Sequence, residues 1–302
     1  MIKLLTVVGA RPQIIKAAAL SRAIKNNFQD SIKEMVLHTG QHYDPNMSQV
    51  FFDELEIPMP DFNLNVGSAS HGVQTARMIE GIEKTLLDNS PDFLVLYGDT
   101  NSTLAGAIAA SKIHVPIIHI EAGLRSFNKS MPEEINRIMC DHASTLLFSP
   151  TETGVNNLIS EGFKINTDPP FSPDNPAVFH CGDVMYDNSL FFAGKASKYS
   201  KILTQHQLIP GSYILGTLHR DHNTDDPARL GAIFESVNRI SVGYDTEVIL
   251  PLHPRTSKML KTNLSDTLLK KTEDNRLIKI TGPVSFLDMI QLEKNAKLIL
   301  TD

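Results

Sequence analysis

Only two cysteines occur in the 302 residues, Cys140 and Cys181, and neither sits in a CxxC or HxxxC grouping. A disulfide framework and a zinc site of common spacing are thereby excluded, and buried free thiols are the expected state. No uncharged apolar stretch approaches the roughly 20 residues that span a bilayer. The N-terminal MIKLLTVV leads directly into GARPQ without a cleavage-type small-residue site, so it reads as a first strand and not as a signal peptide. There is no long basic run or basic stripe interleaved with aromatics, and the formal net charge is −6. Nucleic acid and membrane are excluded as partners on that ground, and the cytoplasm is the expected location. A GxGxxG dinucleotide fingerprint, internal repeats and low-complexity tracts are also missing.

What the chain does have is short β-branched runs alternating with helix-period segments, the pattern of an α/β fold whose parallel sheet is covered on both faces. A length of 302 residues suggests two such units. The expected division is 1–187 and 188–302. In the first, strands are expected at Ile2 to Val8, Met35 to His38, Phe93 to Tyr97, Pro116 to Ile120 and Thr145 to Phe148. Apolar Val73, Ala76, Ile79, Ile82 and Leu86 recur every three or four residues and mark an amphipathic helix. Asn166 to Pro176 holds four prolines in eleven residues and reads as a surface loop. In the second, strands are expected at Tyr213 to Leu218, Thr246 to Leu252, Leu277 to Thr281 and Lys297 to Leu300. The text then stops at Thr301-Asp302, where a parallel α/β domain normally places a further loop and helix, so this domain is expected to be incomplete.

Chemistry concentrates at the ends of the strand-like runs. Asp99 and Glu121 each follow one, and in an open α/β sheet such carboxyl ends share the ligand crevice. Glu133 lies in Ser130-Met131-Pro132-Glu133, which resembles a capping box with proline in the first turn. Crowding among these carboxylates would push their protonation states apart and leave one as acid and another as base. Gly9-Ala10-Arg11-Pro12 joins a strand to a helix whose start favours an anion, with Lys16 within two turns. His219-Arg220 and His253-Pro254-Arg255 place a histidine and an arginine after two successive strands of the second half, where cations can neutralise a diphosphate. Asp225 and Asp226 read as helix caps, not metal ligands. His38, His42 and Asp44 have no common zinc spacing and read as a polar loop. Acids on one half and cations on the other suggest a phosphorylated ligand held between two domains, with proton transfer in place of hydride chemistry.

Taken together, GARPQIIKAA, HTGQHYD, YGDTNSTLAGA, HIEAGLRSF with MPEEINR, PTETGVNNL, GDVMYD, TLHRDHNTDD, LPLHPRT and LILTD resemble the non-hydrolysing UDP-N-acetylglucosamine 2-epimerases across nearly the whole chain. The resemblance implies two Rossmann-like domains facing across a cleft, the GT-B arrangement of one large class of glycosyltransferases, usually as a homodimer. It implies a UDP-sugar as substrate, inversion at C2 by loss and return of UDP, and no metal or nicotinamide cofactor. Asp99, Glu121, Glu133 and His219 correspond to the family's acid/base set. Arg11 and Lys16 correspond to residues that stabilise the leaving UDP, with Arg220, His253 and Arg255 as further substrate-binding positions. Gln41 and His42 match a region where some bacterial members bind a second, activating substrate molecule, although Val73 stands where those members have arginine. The family continues past LILTD into Ser-Gly-Gly and an acidic helix.

GARPQ, in place of the commoner GTRPE, also resembles epimerases acting on UDP-2,3-diacetamido-2,3-dideoxyglucuronate for surface polysaccharides. The other readings are a hydrolysing epimerase, a glycosyltransferase, and an inactive truncated protein that only binds a nucleotide sugar.

Overall fold

The computed structural model describes residues 1–41, 59–165, 167–218 and 220–302, so His42, Asp44 and His219 lie outside the described residues. The chain divides into two compact units, Met1–Asn188 and Ser189–Asp302, and the division falls inside the helix Val184–Tyr199.

The first unit contains β1 (Ile2–Val8), β2 (Ile32–His38), β3 (Phe62–Asn63), β4 (Phe93–Tyr97), β5 (Ile117–Ile120), β6 (Leu146–Ser149) and β7 (Ala177–His180). They form a seven-stranded parallel sheet in the order β3-β2-β1-β4-β5-β6-β7. Apolar runs such as FLVLY in β4 suit strands covered on both faces. Leu5, Val7, Leu37, Leu94 and Leu96 pack in one core with Met78, Ile82 and Leu86 of the helix His71–Asn89 and with the alanines of the helix Asn101–Lys112. Each such side chain stabilises the fold by about 1.5–3 kcal/mol when fully buried. Strand order reverses between β1 and β4, and the turns leaving their carboxyl ends open there.

Several local features differ from expectation. The first helix begins at Arg11, inside the expected turn Gly9-Ala10-Arg11-Pro12, and is followed by a π turn at Ile24–Phe28. Ala10, the N-cap, has no side-chain acceptor, and Gln13 substitutes for one by accepting from Gly9 N (2.9 Å) and Ala10 N (3.2 Å). No capping box forms at Ser130: Met131 is the N-cap of Pro132–Ala143, because Pro132 takes the first helical position. Cys140 is a buried free thiol, but Cys181 is exposed, because it follows β7 beyond the sheet's cover.

The second unit contains β8 (Tyr213–Thr217), β9 (Glu247–Pro251), β10 (Ile278–Thr281) and β11 (Leu298–Thr301), parallel in the order β10-β9-β8-β11. Leu230, Phe234 and Val237 of the helix Pro227–Gly243 pack on Ile214, Val248 and Leu250. Asp226 caps that helix through Ala228 N and Arg229 N. A further helix, Asp266–Asp274, is capped by Ser265. Both units are thus α/β with Rossmann-like parallel sheets, and no helix among the described residues is long and apolar enough to cross a membrane.

Candidate active site

The turns after β1 and β4 are joined by Gln13. Its carbonyl oxygen holds the Gly9–Ala10 amides, while its Nε2 donates to Tyr97 O (2.9 Å) and Thr103 Oγ1 (3.0 Å). Gly9 has no room for a side chain, since a Cβ there would lie 2.2 Å from both Ser102 Oγ and Thr39 Oγ1. Above these turns lies a cavity of about 470 Å³ lined by Arg11, Gln41, His71, Asp99, Asn101, Glu133 and Asn136, among others. All of its lining residues belong to the first unit.

Four of the residues expected from sequence therefore meet at one cavity: Arg11, Gln41, Asp99 and Glu133. Gln41 is held there by Ser102, whose Oγ (2.8 Å) and N (3.2 Å) both donate to Gln41 Oε1. Asp99 pairs with Arg137, and its backbone carbonyl accepts from Asn136 Nδ2 (2.9 Å). Glu121 pairs with Lys16, so Lys16 meets an acid of the cluster, not an open anion site. The carboxylate crowding expected from sequence is offset in this way, because Asp99 and Glu121 each have a cation as partner. Glu121 occupies the left-handed region at φ 77°, an uncommon conformation for a residue with a side chain.

Glu133 is exposed in the first turn of its helix, and its neighbour Glu134 is buried. Glu134 accepts from Ser126 N (2.9 Å) and Phe127 N (3.0 Å) and pairs with Arg137 (2.8 Å). Burial pushes the Glu134 carboxyl up, but the Ser126 and Phe127 donors with Arg137 outweigh it and hold it below the usual range. Arg137 thus bridges Glu134 and Asp99.

Beneath the acids lies a group not among the site residues expected from sequence. His119, in β5, is fully buried, with Nδ1 2.7 Å from Asp141 Oδ1 and Nε2 2.8 Å from Gly98 O. Asp141 Oδ2 also pairs with Arg125 (2.7 Å) and accepts from Gly123 N (3.1 Å). Burial works against charge on the ring, but Cys140 and Asp141 outweigh it and hold His119 well above the usual histidine range. Burial likewise opposes ionisation of Asp141, which His119 and Arg125 nevertheless keep below the usual carboxylate range. A lone histidine in the isoleucine run IIHI, and an aspartate on the inward face of an amphipathic helix, were the available signals.

In the second unit, Arg220 is the N-cap residue of a short helix, Asp221–Thr224, and its N–H donates to Asp302 Oδ2 (2.9 Å). Arg255 forks onto Asp225 (2.7 and 2.8 Å) and pairs with Asp221 (2.7 Å). Asp225 therefore holds an arginine, while Asp226 alone caps the following helix. His253 is the N-cap of Pro254–Asn263, its Nδ1 accepting from Arg255 N (3.4 Å). A second cavity, about 510 Å³, opens between the ends of β8 and β11 and is lined by Thr217, Asn223, Thr301 and Asp302 with apolar side chains of the helix Pro227–Gly243.

Comparison with known proteins bears on this arrangement. The family model described as UDP-N-acetylglucosamine 2-epimerase matches residues 24–302. A UDP-N-acetylglucosamine 2-epimerase homolog of Methanococcus maripaludis is 47% identical over 302 residues, covering 99% of this chain and 78% of the relative. The UDP-2,3-diacetamido-2,3-dideoxy-D-glucuronate 2-epimerase of Pseudomonas aeruginosa is 46% identical over 300 residues, with 99% and 78% covered. The crystal structure of the Methanocaldococcus jannaschii UDP-GlcNAc 2-epimerase in complex with UDP-GlcNAc and UDP superposes with a TM-score of 0.81 at 43% identity, over 100% of this chain and 79% of that one. With its motifs, its two parallel sheets and these relatives in agreement, the chain belongs to the non-hydrolysing UDP-N-acetylglucosamine 2-epimerase family.

Proposed function

We propose that this chain interconverts UDP-N-acetylglucosamine and UDP-N-acetylmannosamine by epimerisation at C2. The observation that carries the reading is the placement of Asp99 and Glu121 at the carboxyl ends of adjacent strands, with Arg11 and Glu133 lining the same cavity as Asp99. The C2 proton has no neighbouring carbonyl to acidify it, so direct removal and return faces a high barrier. Elimination avoids that barrier. A carboxylate takes the C2 proton, the C2–H electron pair becomes the C1–C2 double bond, and the C1–O bond breaks with its pair leaving on UDP. UDP then adds back to C1 as a proton returns to C2 on the opposite face. Asp99, Glu121 and Glu133 are the proton-handling groups in this proposal, with His219 at the departing diphosphate or as an acid. Arg11 and Lys16 supply positive charge as negative charge grows on the leaving group. The second unit, with Arg220, His253 and Arg255, is the nucleotide-binding part. Gln41 and His42 belong to the substrate-binding set. A homodimer in the cytoplasm is part of the same proposal.

The relative acting on UDP-2,3-diacetamido-2,3-dideoxy-D-glucuronate matches almost as well, which favours that sugar as a second reading. Incubation with each UDP-sugar in deuterium oxide separates them. Deuterium at C2 and formation of the epimer are expected with one of the two. Accumulation of free UDP would replace the proposal by a hydrolysing enzyme, and binding without exchange would leave only a nucleotide-sugar-binding protein.

A further inference from the structure

Gly98 O has one exceptional partner. A backbone carbonyl only accepts, so the 2.8 Å contact requires a proton on His119 Nε2. Asp141 also accepts, because its Oδ2 takes the Gly123 N–H and pairs with Arg125 as a carboxylate does, so the 2.7 Å contact requires a second proton on Nδ1. The buried ring is then an imidazolium with both protons committed, unfit to donate or remove one during a reaction. Its two ends reach both acid-bearing turns. Gly98 directly precedes Asp99, and Asp141, at the other nitrogen, accepts from Gly123 N (3.1 Å), two residues beyond Glu121. Both glycines lie at positive φ, 60° and 82°, so each turn is bent sharply where it is held. The turns are also close to each other. A Cβ on Gly98 would stand 3.5 Å from Glu121 Oε2 and 3.3 Å from Lys16 Nζ. Arg125 anchors the far end of Asp141 and is itself fixed by Glu161 (2.7 and 2.6 Å).

We infer that His119 and Asp141 are positioning residues for the C2 chemistry: a charge-assisted bridge from Gly98 O to Gly123 N that fixes the turn of Asp99 against the turn of Glu121. The inference rests on the proposed epimerase reading for its catalytic consequence, but the bridge itself is testable without turnover. Misplacing a reacting group by about 1 Å can cost about 10²-fold in rate.

Two substitutions split the bridge. His119→Gln places an amide nitrogen near the position of Nε2 and can keep the bond to Gly98 O, whereas His119→Asn places one near Nδ1 and loses it. In the full-length chain, kcat for deuterium incorporation at C2 is expected to fall about 100-fold in His119→Asn and less than about 10-fold in His119→Gln. UDP binding should stay within about threefold of wild type in both. Equal losses in the two variants, or a loss confined to KM, would overturn the inference. Nitrogen NMR of the wild-type imidazole is the independent arm, and it serves even where a variant fails to fold. Both His119 nitrogens should remain protonated from pH 6 to 8, and a neutral ring in that range overturns the bridge. If wild type shows no exchange with either sugar, the epimerase reading fails; the NMR result then decides the bridge alone.

Discussion

The decisive residues at the candidate site are pairs, not single groups. Asp99 is held by Arg137 and Glu121 by Lys16, partners separated by 38 and 105 positions in the chain. A carboxylate with a fixed cation keeps its orientation, which matters where one proton must leave one face of a sugar carbon. Asp99→Asn removes the proposed proton-transfer carboxylate while preserving shape and the backbone contact to Asn136. It is expected to abolish C2 solvent exchange while UDP affinity, measured by calorimetry, stays within about threefold. Unchanged exchange would remove Asp99 from the proton-transfer role. Adjacent residues also divide their work in a way that type alone does not reveal. Glu133 faces the cavity, whereas Glu134 binds two loop amides and Arg137.

The same contrast holds for the secondary-structure elements. The helix at His71–Asn89 and the apolar runs of β1, β4 and β5 were legible because their apolar periods are local properties of the chain, although the helix buries Gln74, Met78, Ile82, Thr85 and Leu86 and leaves Val73 and Ala76 of the expected series exposed. The starts of helices were less so. The helix Arg11–Ala23 depends on Gln13, a residue of its own first turn, for a cap that no Ser, Thr, Asp or Asn provides. The turn after β5 is held tightly. Gly123 has φ 82°, and a Cβ there would lie 2.3 Å from Gly154 O. Gly123→Ala therefore combines a left-handed alanine, about 1–3 kcal/mol, with a clash against backbone that has no rotamer to yield. The expected outcome is a denaturant midpoint lowered by more than the conformational cost alone and displacement of the Glu121 turn. A midpoint equal to wild type would show that Gly154 can move aside.

Buried charge makes the stability of the fold depend on pH. Native His119 keeps its proton above the ordinary histidine value of about 6.5, where the unfolded chain releases it. The native state then binds more protons, so this contribution is complete below about pH 6.5. It declines by up to about 1.4 kcal/mol per pH unit above that, until His119 itself titrates. His38, pushed down by burial, acts with the opposite sign and is common to wild type and variant. Denaturant unfolding from pH 6.5 to 8.5 should therefore show wild type losing its advantage over His119→Gln as pH rises. Parallel curves would place the His119 proton elsewhere.

The α/β class, the position of most strands, the family motifs and the acids that follow β4 and β5 can all be read from the amino-acid order, because each is written in local period or in contiguous text. Which cation meets which carboxylate, the link that Gln13 makes between the turns after β1 and β4, and the place of His119 and Asp141 beneath both acid-bearing turns all arise on folding. Those contacts follow from the strand order β2-β1-β4-β5, which brings distant segments together at one end of the sheet. Local periodicity marks which segments become helices and strands, but it does not choose a buried polar group's partner. That choice is made when the sheet closes and water is no longer there to hydrogen-bond the group.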